Sequence, residues 1–355
     1  MIMSDDILIC GDFMPGGVLY RHKSYADDGL IEFMKQHRYV IATLECAVAL
    51  NDNYLTVSNE KAIPKVVVRK EDLERLYEMN VNVVSLANNH VFDLGTDAFD
   101  AMVQELDDHN VLHFGAGHNI EEASKPIVLT IDDKRIAIYG CCMEGIPPSR
   151  LVVATKDKPG IWRASMRDLI TVVKSVRSDY DYILIMPHGG QEHKILPMQE
   201  CLDMSKKMVD AGADGVFWSH AHCVQPMFMY RKRPIYFGLG SLLFPDVYVY
   251  PPRSVFYPDE SFDFSQLSIC KNFPKKVNKP TLARWETPSR KGIGVTVSLK
   301  NGIETVSSLF ELTQDNVLKG VNESGSLHLF KSLRRKSLLF ELPSWAYGAI
   351  RKMVY

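Results

Sequence analysis

From its start to about residue 240, the chain alternates short apolar runs with amphipathic stretches. Asp6–Asp12 (DILICGD) reads as a first buried strand and Tyr39–Val48 (YVIATLECAV) as a second. Leu73, Leu76 and Met79 fall on one helical face, and the apolar run Val81 to Ala87 follows as a strand. The stretch from Thr96 to Val111 predicts another helix, capped by Thr96 or Asp97. Strands are expected at Arg135–Cys142, Tyr180–Gly190, Asp214–His222 and Pro234–Phe244, with helices at Met166–Ser178 and Pro197–Ala213 between them. This rhythm means an α/β fold: a largely buried sheet with helices on its faces.

The rhythm breaks at residues 245–291, a stretch rich in Pro, Tyr, Phe and Lys that reads as an insertion or flap. Beyond it, alternation on both sides of Asn301-Gly302 predicts a β-hairpin with a tight turn. Residues 1–325 are thus read as one domain. Residues 326–355 form a basic amphipathic tail, where Arg334, Arg335, Lys336, Arg351 and Lys352 mix with Leu, Phe and Trp345. Such a tail packs on its own domain or on a partner, or lies against an anionic membrane surface.

Composition narrows the possibilities. A net charge of -2 gives no general attraction to nucleic acid. The seven cysteines, Cys10, Cys46, Cys141, Cys142, Cys201, Cys223 and Cys270, are odd in number and lack CxxC spacing. That speaks against a disulfide framework or a cysteine zinc site and fits a reducing compartment. No G-x-G-x-x-G follows the first strand, which disfavours a dinucleotide fold. The start, MIMSDDILICGDF, has no basic region ahead of its short apolar run, so neither a signal peptide nor a membrane span is expected.

Polar residues cluster where the strands end, the place at which open α/β sheets hold ligands. Asp12 follows the first strand, and Glu45 sits inside an otherwise apolar stretch. A buried carboxylate there must be paired or metal-bound. Asn88, Asn89, His90 and Asp93 crowd into six residues after the third strand. His188 precedes two glycines, and His220 and His222 stand two apart after Gly215–Trp218. In an extended segment such a pair points to one side, offering two imidazole nitrogens to one cavity. Two carboxylates, one amide and three or four imidazoles suit two divalent metals sharing a carboxylate bridge.

As a set, these segments resemble the bacterial capsule-synthesis protein CapA family, also described as poly-γ-glutamate synthesis proteins and related to calcineurin-like metallophosphoesterases. The resemblance runs from Asp5 to about Phe244 through CGDFMPGG, TLECAV, SLANNHVFDLG, FGAG, MPHGGQEH, SHAHCVQP and IYFGLGSLLF. It implies a metallophosphoesterase-like four-layer α/β/β/α sandwich of two sheets flanked by helices. It further implies that Asp12 and His222 bind a first metal, that Asn89, His188 and His220 bind a second, and that Glu45 bridges both. His90 would be the general acid, Glu192 would orient substrate or a ligand, and Asn88, Asp93 and Ser241 would contact substrate. The cofactor would be one or two divalent ions of Mn, Zn, Fe or Mg. The chain departs from phosphoesterases at Met14, where they carry histidine, and at Glu45, which is usual for CapA-like proteins, and from the CapA segments at Gly189, Ser219 and Ser241. Met14 removes an imidazole from the first metal position.

The function expected is that of a metal-dependent hydrolase or transferase in making or processing a cell-envelope polymer such as capsule polysaccharide or poly-γ-glutamate. The alternative is a non-catalytic binding or assembly component of a surface-polymer complex. Expected partners are an anionic polymer, or a phosphorylated or peptidic small molecule, together with capsule-synthesis proteins. The location expected is cytoplasmic, with peripheral membrane contact through the tail.

Overall fold

A computed structural model describes residues 4–51, Tyr54, residues 63–143 and residues 146–355. Among them, two large sheets dominate. The first has the order Leu318–Gly320, Glu304–Leu312, Lys291–Ser298, Ser4–Phe13, His37–Leu44, Val83–Ser85 and Leu112–Phe114. An eighth strand, Ser241–Leu243, pairs with the end of Ser4–Phe13. The second runs Met227–Tyr230, Arg233–Tyr236, Gly215–Phe217, Tyr182–His188, Lys134–Cys142 and Ile127–Ile131. The central strands of each sheet are parallel.

Strand alternation builds the layers. Ile7 and Ile9 point between the sheets, where they join Ile41, Val83, Ile136, Ile138, Leu184, Met186 and Phe217 in one core. Leu8 and Cys10 point the other way, into a core completed by three helices. These are α1 (Asp28–Lys35), with Leu30 and Met34 inward, α2 (Glu74–Glu78), with Leu76, and α3 (Thr96–Asp108), with Phe99, Met102 and Leu106. On the outer face of the second sheet, α4 (Met166–Val176) and α5 (Gln199–Ala211) bury Leu169, Val173, Leu202 and Met208 against Ile183, Ile185 and Val216. The expected α/β/β/α sandwich is the arrangement that forms.

Several local expectations need correction. The residue capping α3 is Gly95 (φ +86°), not Thr96 or Asp97, and no side chain caps that end. Ile127–Ile131, missed in the sequence, pairs antiparallel with Lys134–Cys142. Pro234–Phe244 is not one strand. Its first part lies in the second sheet, the chain crosses at residues 237–240, and Ser241–Leu243 enters the first sheet. The hairpin after residue 291 forms, but Ser298 pairs with Glu304 across a five-residue connection. Only Gly302 there adopts positive φ, so the Asn-Gly pair does not make a two-residue turn.

Residues 245–291 are built around a sheet of their own, in the order Ser254–Val255, Val247–Tyr250, Thr281–Arg284 and Ser268–Lys271. Buried Asp246 ties this sheet to the main body. Its carboxylate accepts Arg290 Nη2 at 2.5 Å, the Trp285 amide at 3.1 Å and Asn316 Nδ2 at 3.3 Å. The tail also packs inward. It folds as α6 (Glu323–Ser337), a 3-10 turn at Leu338–Glu341, and α7 (Ser344–Val354), with Phe340 and Tyr347 buried beside Phe237. No described helix is long and apolar enough to cross a membrane.

Candidate metal centre

The C-terminal ends of the parallel strands from both sheets meet at one edge. Asp12 closes Ser4–Phe13, Glu45 follows His37–Leu44, and His188 ends Tyr182–His188. Asn88, Asn89 and His90 lie just past Val83–Ser85. A Cβ added at Gly11 would overlap the Gly240 carbonyl oxygen, the same oxygen that accepts the Asp12 amide at 3.1 Å. Glycine at position 11 is therefore what lets the crossing segment press against the strand and fix Asp12.

His220 and His222 arrive differently from the sequence expectation. Their strand ends at Phe217, and both histidines sit in the left-handed region, at φ +89° and +49°. They converge through a tight, strained turn rather than by strand alternation. Such backbone costs about 1–3 kcal/mol per residue and persists where the surroundings enforce it. Here the Asp12 carboxylate accepts the His220 amide, at 3.1 Å to Oδ2.

Two clusters result, each offering three ligand atoms within 4.8 Å of one another: Glu45 with His188 and His220, and Asp12 with Glu45 and His222. Glu45 belongs to both. Its Oε1 lies 3.5 Å from His188 Nε2 and its Oε2 lies 3.7 Å from His222 Nε2. Asn89 Oδ1 joins the first cluster, 2.9 Å from His188 Nε2.

The donor set fits a cation. Glu45 is fully buried, and neither of its carboxylate oxygens accepts a hydrogen bond; His220 Nδ1 and Asn89 Nδ2 are likewise unpartnered. Buried polar atoms are almost always satisfied, so four orphans around one point mark a site shaped for something further. Ser219 supports this reading. Its Oγ lies 2.8 Å from His188 Nδ1 and receives the Thr43 hydroxyl at 3.2 Å. With the His188 proton on Nδ1, the Nε2 lone pair faces the oxygens of Asn89 and Glu45. Three acceptors turned on one another are reconciled by a positive ion.

Electrostatics agree. Burial holds His188, His220 and His222 well below the ordinary imidazole range, so they are neutral and can offer lone pairs. Burial, and next the charge of Glu45, push the Asp12 carboxyl up; burial likewise pushes up Glu45, against the opposing pull of His90. A divalent ion would reverse this by stabilising both carboxylates. Met14, at the position where the resemblance led an imidazole to be expected, turns its sulfur to the Gly16 amide at 3.3 Å.

His90 stands beside the clusters. Its Nδ1 lies 2.6 Å from Asp93 Oδ2, which leaves Nε2 turned towards Arg150 Nη2 at 3.5 Å. Burial disfavours the imidazolium, but Asp93 and then Glu45 outweigh it and raise the His90 pKa. Glu192 accepts Arg150 Nη1 at 3.1 Å and lies 3.7 Å from His220 Nε2. Burial opposes the charge of Glu192, but its basic neighbours, the Arg150 guanidinium among them, outweigh it and hold the carboxylate well below its usual range.

The three residues expected to contact substrate are placed behind this machinery. Asn88 is buried, and both its amide atoms bond the backbone: its Oδ1 accepts the amides of His90 and Val91, and its Nδ2 donates to the Leu44 carbonyl. These bonds shape the loop that carries Asn89 and His90. Asp93 holds His90 and the Val66 amide, and Ser241 Oγ lies 3.5 Å from His222 Nδ1.

A cavity of about 470 Å³ opens on the centre, lined by His90, Arg150, Glu192 and His222, and by Arg253, Lys271, Lys275 and Trp285 of the inserted region. Trp285 stacks on His222 with 6.1 Å between ring centroids. Arg150 and Trp285 were not singled out in the sequence. Neither belongs to a strand-end motif, and only the folded chain brings them to the mouth.

A two-sheet α/β sandwich with a carboxylate–imidazole centre at its strand ends defines the class of this protein. Residues 6–246, which contain every member of both clusters, match the family described as bacterial capsule synthesis protein PGA_cap, and the chain belongs to that family. It is 26% identical over 250 residues to the PGA biosynthesis protein CapA of Bacillus subtilis (strain 168), covering 68% of this chain and 64% of that protein. It is 26% identical over 218 residues to the capsule biosynthesis protein CapA of Bacillus anthracis, covering 60% of this chain and 52% of that one. The chain thus spans between about half and two-thirds of these relatives. Among solved structures it is similar to a hypothetical protein from Thermus thermophilus, with a TM-score of 0.48 and 13% identity over 86% of this chain and 99% of that one. It is also similar to a putative 5′-nucleotidase from Staphylococcus aureus, with a TM-score of 0.49 and 12% identity over 93% of this chain and 58% of that one.

Proposed function

We propose that this protein is a metal-dependent hydrolase acting on an anionic cell-envelope polymer, or on its phosphorylated or peptidic precursor. The observation that carries the proposal is the shared Glu45. It is a buried carboxylate with no hydrogen bond to either oxygen, common to two three-residue ligand clusters. Asp12, Glu45 and His222 would hold one divalent ion, and Glu45, Asn89, His188 and His220 the other. Such ions supply Lewis acidity and a water of lowered pKa.

The chain's own groups would do the rest. Asp93 fixes the His90 ring and stabilises its protonated form, so Nε2 can carry a proton to a leaving group. Arg150 anchors Glu192 and adds a guanidinium suited to bidentate recognition of phosphate or carboxylate. Arg253, Lys271 and Lys275 give the mouth a positive field that draws polyanions. Capsule or poly-γ-glutamate is the polymer that the family relationship favours.

The test is metal content by mass spectrometry combined with turnover of a chromogenic phosphodiester and of γ-glutamyl peptides. The proposal expects close to two bound divalent ions and metal-dependent turnover, both lost in a His188→Ala/His220→Ala double variant. Full activity in that variant would overturn it. A second reading, binding without catalysis, is favoured by Met14 at the place of a missing imidazole. Tight polymer binding by a protein with no bound metal and no turnover would select it.

A further inference from the structure

The last helix of the chain has apolar residues on both sides. Its inner side is satisfied: Tyr347 is buried and donates its hydroxyl to the Pro197 carbonyl at 2.7 Å. The opposite side is turned to solvent, with Trp345 79% exposed and Met353 85% exposed. Trp345, Ala349 and Met353 are spaced four apart and share one face of α7, and all three are exposed. Leu338 and Leu342, on the approach to the helix, are exposed as well. A helix already packed on one face has no folding reason to present tryptophan and methionine on the other.

The charge of this segment is one-sided. Residues 326–355 hold six cations, Lys331, Arg334, Arg335, Lys336, Arg351 and Lys352, against the single carboxylate Glu341, in a chain of net charge -2. Lys331, Arg334, Arg335 and Lys352 are exposed. A cavity of about 490 Å³ adjoins the same segment, walled by Met229, Phe330, Leu333 and Arg334 among others. The surface asks for an occupant that is apolar in depth and anionic at its boundary. A leaflet of anionic lipid has both properties, and an exposed tryptophan among cations sits at the level of its headgroups.

We propose that Leu338–Tyr355, with the cations of α6, is an interfacial anchor that seats the protein on a membrane carrying anionic lipid. The helix lies in the surface and does not span it. It is rigidly attached to the metal-centre side of the molecule: Arg351 Nη2 donates to Gln191 Oε1 at 2.6 Å, and the Tyr355 hydroxyl accepts the Leu196 amide at 2.6 Å. Seating the anchor therefore orients the loop that carries Glu192. The anchor itself does not depend on what the centre catalyses.

The experiment is flotation of the full chain with vesicles of phosphatidylcholine alone and of phosphatidylcholine mixed with phosphatidylglycerol. Binding is expected on the mixed vesicles only, weakening as salt rises. Arg334→Gln/Arg335→Gln should weaken it by roughly thirtyfold, and Trp345→Ser/Met353→Ser by tenfold or more. All the substituted side chains are solvent-exposed, so thermal unfolding should be unchanged and metal content should match the parent protein. No vesicle binding, equal binding to neutral vesicles, or indifference to both variants would overturn the proposal. So would a dimer in solution that the Trp345→Ser/Met353→Ser variant dissolves, which would assign the face to a second copy of this chain.

Discussion

His90 Nδ1 and Asp93 Oδ2 stand 2.6 Å apart, and the same carboxylate oxygen accepts the Val66 amide at 2.7 Å. Asp93 is thereby fixed from two directions, and it fixes in turn the ring whose Nε2 faces the cavity. Asp93→Asn keeps an acceptor for the amide but withdraws the charge that favours imidazolium. Turnover should fall by about 10²–10⁴, the range of a general acid's contribution, with KM little changed. Metal content measured on the same sample should stay at the parent value, which separates a lost proton donor from a collapsed site.

The shared carboxylate predicts an unequal pattern of metal loss. Glu45→Ala should release both ions, whereas His222→Ala should release the one held with Asp12 and keep the one held with His188 and His220. Stoichiometry by mass spectrometry after gel filtration checks this. Equal loss in the two variants would contradict a bridge at Glu45.

Metal affinity should depend on pH with a definite sign. Burial raises the pKa of both Asp12 and Glu45, so in metal-stripped protein protons are retained above the usual carboxylate range. A divalent ion must displace them. Affinity should therefore strengthen as pH rises through and beyond neutrality, and binding should release protons. Calorimetry in buffers of different ionisation enthalpy counts those protons directly.

Asp246, which ties the inserted sheet to the main body, forms a buried ion pair with Arg290. Removing one member of such a pair leaves the other charge uncompensated. Arg290→Leu should thus lower stability by about 3–5 kcal/mol in urea unfolding. Because the insertion carries Lys271, Lys275 and Trp285, polymer binding should weaken in the same variant.

Much of the centre was legible because its members are conspicuous where they stand. A glutamate inside TLECAV and an aspartate ending DILICGD are out of place in buried strands unless something positive meets them. Asn88 shows the limit of that reasoning. Its neighbours bear ligands, but its amide is engaged with the backbone of its own loop, and composition cannot tell a loop-builder from a contact. The convergence of His220 and His222 was expected for the wrong reason, since it depends on left-handed backbone. Arg150 was illegible because its place is set by long-range packing. It follows two prolines with no motif around it, and its guanidinium meets Glu192 forty-two positions away. The inserted sheet was hidden by its aromatic and proline content, which resembles that of an irregular loop.

The chain's passage between layers at residues 237–240 has a mechanical consequence. Asp12 belongs to one sheet and His220 follows the other, yet the His220 amide already donates to the Asp12 carboxylate, and an ion held by Glu45 and His188 would add a further fastening across the same seam. Sliding of one layer past its neighbour would pull the fastening apart. Loading the centre would therefore brace the whole sandwich against shear, slowing amide exchange in strands far from any ligand.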